Sequence, residues 1–209
     1  METHLVLDPE RPFSWPDQCD ACEYVDGRLL HARATYGGCV KLVDVESGEL
    51  VGWPLRPVPA KTTLRIPAPK RAPNPDIEPT SAVALAEWRG VGAVVAVAQA
   101  GRAWVTAAAT GAPLLSLPRG RSAIEVVALD QDHEDLLLAT GSADGSIDVW
   151  NVRAQELVAS LRLDSPVRDL WMCEDTLCAY VLDGTFHIID LCDGGAHQFV
   201  ARPDARPAR

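Results

Sequence analysis

The sequence predicts an all-β protein made of four repeated sheets, and three observations predict it. Apolar runs of four to seven residues alternate with glycine-containing tight turns along most of the chain. The turn glycines Gly38, Gly101, Gly145 and Gly184 are spaced by 63, 44 and 39 residues. No long segment places apolar residues at i, i+3, i+4 and i+7 between helix caps. Short strands bounded by turns at this density indicate an all-β architecture, because glycine supplies the positive φ that hairpin turns require. A period of about 40 residues with about four strands per unit is the pattern of propeller blades.

The elements follow in order. Arg28–Ala32 and Cys39–Val43 flank Tyr36-Gly37-Gly38 and form the first hairpin. Ala93–Ala109 is alanine-rich, which favours helix by propensity, but it reads AVVAV, AQAG, RAWVTAA. Its β-branched residues and central Ala-Gly predict two strands around a turn. Leu136–Thr140 and Ile147–Trp150 flank Asp144-Gly145, and Leu177–Val181 and Phe186–Ile189 flank Asp183-Gly184. A further turn and apolar run follows each hairpin, at Glu46–Val51, Thr110–Leu115, Ala154–Val158 and Asp193–Val200. The predicted organisation is an N-terminal extension (1–16), blade 1 (17–53), a proline-rich basic loop (54–79), blade 2 (80–118), blade 3 (119–163), blade 4 (164–201) and a tail (202–209).

Gly120 to Leu163, with the core LLLATGSADGSIDVWNVRAQELVASL, resembles a WD-repeat. The resemblance implies a β-propeller blade in which Ser142, Asp144 and Trp150 form a structural hydrogen-bonded network. Gly120-Arg121 stands at the family's Gly-His position, so the structural histidine is missing and Asp144 must find another donor or stay near water. Asn151 stands for the usual aspartate. The other copies are degenerate: Thr35, Gly37 and Val43 in the first, Ala98, Ala100 and Thr106 in the second, Asp183 and Ile189 in the fourth. WD-repeat propellers usually have about seven blades, and an open arc of four exposes apolar sheet at its ends. The expectation is an incomplete or partner-completed propeller: two chains pair, or another polypeptide supplies the rest. A closed four-bladed ring is the alternative. Copy four has its own outer strand, Gln198–Arg202, so an N-terminal strand is not needed to complete it.

Charge and composition restrict the function. The 209 residues are 47% hydrophobic, which excludes disorder of the whole chain. The net charge of −10 argues against nucleic-acid binding. No apolar run is long enough to span a bilayer, and the start of the chain does not read as a signal peptide. A cytoplasmic or nuclear location is expected. From Ser122 to Val200 there are 15 acids and 3 bases, whereas Pro54–Pro79 carries 5 bases, 2 acids and 8 of the 16 prolines. That segment reads as an extended loop, either an untethered insertion or a basic arm for an acidic surface. Its Arg56, Lys61, Arg65, Lys70 and Arg71, with the flanking Trp53 and Trp88, are the candidate partner surface.

Chemical motifs are weak. Cys19-Asp20-Ala21-Cys22 is a C-x-x-C for zinc or redox chemistry, with His31 and Cys39 the only nearby further ligands. The plainer reading is buried or half-buried strand cysteines, and the same holds for Cys173, Cys178 and Cys192. Gly141-Ser142-Ala143-Asp144-Gly145 superficially resembles a nucleophile loop, but its fit to the repeat explains every residue. His133-Glu134-Asp135 reads as a solvated turn. No cofactor or metal is expected. The resemblance implies a non-catalytic protein-interaction scaffold or adaptor, such as a substrate receptor or assembly subunit of a ubiquitin ligase. Its partners are other proteins, including a second copy of the chain. The alternative is a small four-bladed hydrolase or lyase with channel-facing acids, for which Asp130, Asp132, Glu134 and Asp135 are the candidates.

Overall fold

The computed structural model describes residues 20–34, 39–52, 54–55, 80–99, 101–118, 122–132, 134–173, 176–191 and 197–201. Among the described residues, fifteen strands form four antiparallel sheets. Sheet 1 holds β1 (Asp20–Val25), β2 (Arg28–Ala34) and β3 (Val40–Asp44). Beyond β3, Leu50 and Leu55 make isolated bridges to Val43 and Val40, so Leu55 belongs against the sheet. Sheet 2 holds β4 (Thr80–Trp88), β5 (Gly92–Gln99), β6 (Arg102–Ala107) and β7 (Pro113–Leu117). Sheet 3 holds β8 (Ile124–Asp132), β9 (Asp135–Ser142), β10 (Ser146–Asn151) and β11 (Glu156–Arg162). Sheet 4 holds β12 (Val167–Cys173), β13 (Thr176–Val181), β14 (Phe186–Asp190) and β15 (His197–Ala201).

Each sheet is an up-and-down meander in chain order, and among the described residues glycine turns join neighbouring strands. Gly101, Gly145 and Gly184 have φ of 72°, 85° and 87°, a region open to glycine at little cost. The carboxylates of Asp144 and Asp183 accept the backbone N–H of Ser146 (3.1 Å) and Thr185 (2.8 Å), pinning two equivalent turns. Ala93–Ala109 forms β5 and β6 as the β-branched pattern predicts, against alanine's preference for helix. Packing settles the conflict: β5 buries Val95 and Val97 on one face and Val94, Ala96 and Ala98 on the other.

The sheets stack in series. The first strand of each lies beside that of the next, β1 against β4, β4 against β8 and β8 against β12. Three apolar layers result. Leu30, Val40, Leu42, Val83, Leu85, Val95, Val97 and Trp104 fill the first. The second contains Trp88, Leu115, Leu117, Val127, Leu136 and Leu138. In the third lie Ile147, Val149, Leu170, Leu177, Val181 and Ile189. Among the described residues β12 does not pack on β1 as the internal neighbours pack on each other, so the four blades form an open arc. Sheets 2 and 3 bury both faces, as the unbroken burial along β5 and β9 shows. In sheet 4, β13 alternates half-buried and buried residues and covers one face only.

Candidate functional site

The inner strands end at a common mouth. Glu23 and Tyr24 of β1, Leu85 to Glu87 of β4, Arg89 beyond it, and Leu129 to Gln131 of β8 line a cleft of about 480 Å³. Strand register brings them there, because each acid lies near the C-terminal end of the first strand of its sheet. Partial burial pushes the Glu23 carboxyl above the usual carboxylate range, and the charges of Asp130 and Glu87 push it further. The backbone N–H of Tyr24 donates to Glu23 at 3.2 Å and opposes the shift. Around the rim, Asp26 N–H donates to Glu87 (3.4 Å), Arg89 N–H to the Gln131 side-chain oxygen (2.9 Å) and Gln131 N–H to Asp130 (2.9 Å). Backbone N–H groups thus donate to all three carboxylates, which sit on strands. Three acids around one opening make a field that attracts cations.

The sequence places Asp130 with Asp132, Glu134 and Asp135 in one loop, but the structure distributes them. Asp130 lies on β8 and joins Glu23 and Glu87, whereas Glu134 is exposed beside Arg153 at 3.7 Å. Glu23 and Glu87 are absent from the sequence candidates. A signal for them exists: an acid recurs near the end of the first strand in three successive repeats.

The residues of the WD pattern are near one another without forming the full network. Asp144 turns to the Ser146 N–H, and Arg162 stands 3.7 Å away. These contacts hold its carboxyl below the usual range, the Ser146 hydrogen bonds contributing most. Ser142 is buried, and its carbonyl accepts the Gly145 N–H at 3.0 Å. The indole N–H of Trp150 is buried and has no partner among the described residues. Gly120-Arg121 lies outside the described residues. Trp150 instead packs towards sheet 2, along a second cleft of about 390 Å³ walled by Pro113–Pro118 and Gln155. Gln155 closes one end by donating to the Leu114 carbonyl at 3.1 Å. A double-mutant cycle of Ser142→Ala and Trp150→Phe is therefore expected to give a coupling energy within about 0.5 kcal/mol of zero. Thermal or denaturant unfolding of the four species measures it.

Of the candidate partner surface, Trp53, Arg56, Lys61, Arg65, Lys70 and Arg71 lie outside the described residues. Trp88 does not match that expectation. It is 9% exposed, packed between sheets 2 and 3, with its indole N–H donating to the Glu134 carbonyl at 3.1 Å. A large ring at a strand end is covered by the neighbouring hairpin, a contact invisible in the linear sequence.

The cysteines follow expectation in part: Cys178 is a half-buried strand residue, whereas Cys22 and Cys173 are not buried. Cys22 and Cys173 are exposed, Cys39 and Cys178 are half-buried, and Cys19 and Cys192 lie outside the described residues. Desolvation, then the charges of Asp20 and Glu23, push the Cys22 thiol up, opposite to what a reactive thiolate needs. His31 sits opposite Cys22 across the strand pair, and its Nε2 is 3.1 Å from Asp20. No group of three or more potential metal ligands occurs among the described residues. Among these residues, too, no helix is long and apolar enough to cross a membrane.

No family model and no curated protein matches the chain. Solved structures do. The computationally designed protein Ika8 is 16% identical with a TM-score of 0.57, covering 85% of this chain and 48% of Ika8. Saccharomyces cerevisiae Sqt1 is 17% identical with a TM-score of 0.63, covering 87% of this chain and 48% of Sqt1. The chain thus spans about half the length of these solved structures. Identities this low establish the fold alone, and with 1189 matching chains the fold selects no activity.

Proposed function

We propose that the chain is a non-catalytic interaction scaffold of the WD-repeat kind, and that its acidic mouth receives a basic segment of a partner protein. The observation that carries this reading is the convergence of Glu23, Glu87 and Asp130 on one cleft from three separate sheets. A rigid stack of sheets holds such groups at little entropic cost, which suits docking. A role as receptor or assembly subunit is the finer form of the same reading.

Glu23 makes the proposal sensitive to pH. Its raised pKa favours the neutral acid, and a bound cation favours the carboxylate. Binding therefore releases protons, and affinity falls as the pH drops through the raised Glu23 pKa. Calorimetric titration with an arginine-rich peptide is expected to show binding that weakens with salt and acid. Glu87→Gln is expected to weaken it about tenfold, about 1.4 kcal/mol. Affinity unaffected by Glu87→Gln and by Glu23→Gln would remove the cleft from consideration.

The raised Glu23 pKa, in a cleft it shares with Glu87 and Asp130, also favours a second reading, an acid catalyst beside further carboxylates. Hydrolysis of a glycoside or ester substrate that Glu23→Gln abolishes, with the fold intact, would select that reading.

A further inference from the structure

The two end sheets leave unlike but matching faces uncovered. Of the large apolar residues most exposed in the protein, Tyr24, Val45 and Leu50 lie on the outer face of sheet 1, at 64%, 48% and 56% exposure. Register fixes that face: Tyr24 pairs with Leu29 across β1 and β2, and Val43 pairs with Leu50 at the edge. Its charged members include Asp20, Arg33 and Lys41, which form one row across β1, β2 and β3. At the other end, Trp171 (41% exposed) and Ile188 (37%) lie on the outer face of sheet 4. The same register carries Cys178, Tyr180 and Phe186, and the Trp171 and Phe186 rings stack at 5.2 Å. Asp169 lies beside Tyr180 on this face. One end is thus apolar with two basic groups and the acid Asp20, the other aromatic with Asp169 and Asp190.

These faces are the two halves of a junction that the fold already makes three times. Within the chain, each sheet gives one face to the sheet before it and the opposite face to the sheet after it. Sheet 1 lacks a predecessor and sheet 4 lacks a successor among the described residues. The arc also overlays on 48% of two longer chains, while using 85% and 87% of its own length, which leaves space in each for a second arc of the same size.

We propose that the occupant is a second copy of this chain: the outer face of sheet 4 of each copy seats on the outer face of sheet 1 of the other. The two junctions are identical and related by a two-fold axis, so the assembly closes and leaves no apolar end. Trp171, Phe186 and Ile188 meet Tyr24, Val45 and Leu50, and Asp169 faces the side that carries Arg33 and Lys41. This inference does not depend on what the acidic mouth binds.

Light scattering on the purified 209-residue chain tests it. The expected mass is twice 22.5 kDa. Trp171→Arg with Ile188→Lys is expected to raise the dimer dissociation constant at least about 30-fold, since one spoiled face breaks both junctions. Tyr24→Lys with Leu50→Lys is expected to do the same. Circular dichroism checks that each variant keeps its β-structure, and the milder Trp171→Ala serves if the first does not fold. Mixing the two variants is expected to restore a dimer, through the one junction in which both faces are intact. A monomer at all concentrations, an open-ended series of larger masses, or a dimer that survives loss of either face alone would each overturn the proposal. Peptide binding at the mouth by a monomer would leave the proposed function standing and refute only this pairing.

Discussion

Gly145→Ala is expected to cost about 3 kcal/mol. Two independent causes add. Gly145 has φ of 85°, a conformation that L side chains rarely adopt. A Cβ there would also lie 2.2 Å from the Leu163 carbonyl oxygen and 2.9 Å from that of Ser165. Both are backbone atoms held in place, since Leu163 N–H donates to the Gly145 carbonyl at 2.9 Å. The clash cannot be relieved by rotating a side chain. Gly111→Ala supplies the comparison, because its φ is 69° but nothing lies within 4 Å of the added carbon. It is expected to cost about 1 kcal/mol, the backbone strain alone. Denaturant unfolding of both variants checks this, and equal losses would show that the close approach to Leu163 is unimportant.

Trp88→Ala is expected to destabilise by about 3–5 kcal/mol. The substitution empties a site between sheets 2 and 3 and leaves the Glu134 carbonyl without its donor. Trp88→Phe keeps much of the volume and removes the hydrogen bond, for an expected loss of about 1–2 kcal/mol. The ordering distinguishes a packing residue from an exposed anchor. Unfolding curves of Trp88→Ala that coincide with the parent would place the ring at the surface after all.

What could be read in the sequence was set by local physics. The Asp-Gly turns at 144–145 and 183–184 specify hairpins through backbone conformation and a short carboxylate bond, both contained within a few residues. Alternating valine and alanine in β5 likewise gave strand over helix, because both faces of that strand needed apolar cover. The site was harder to read. Glu23, Glu87 and Asp130 are far apart in the chain, and only the side-by-side placement of β1, β4 and β8 unites them. Trp88 misled because adjacency to a proline-rich segment suggests exposure, whereas its environment is set by a hairpin more than 40 residues away. Trp150 is a different case, because the missing histidine of the pattern already implies an incomplete network. The repeat pattern carries its identity, but the hydrogen bond that usually explains that identity is not formed among the described residues.

Stacking in series governs how the molecule tolerates change. Among the described residues, ladder hydrogen bonds join neighbouring strands within each sheet, and packing with a few further hydrogen bonds joins adjacent sheets, so injury at one place is shared mainly with immediate neighbours. Variation is accordingly cheapest in the connections. Lengthening a connection between two sheets adds only the slowly growing entropy of loop closure. An architecture of this kind can accumulate insertions and degenerate copies one module at a time while the remaining modules keep their registration.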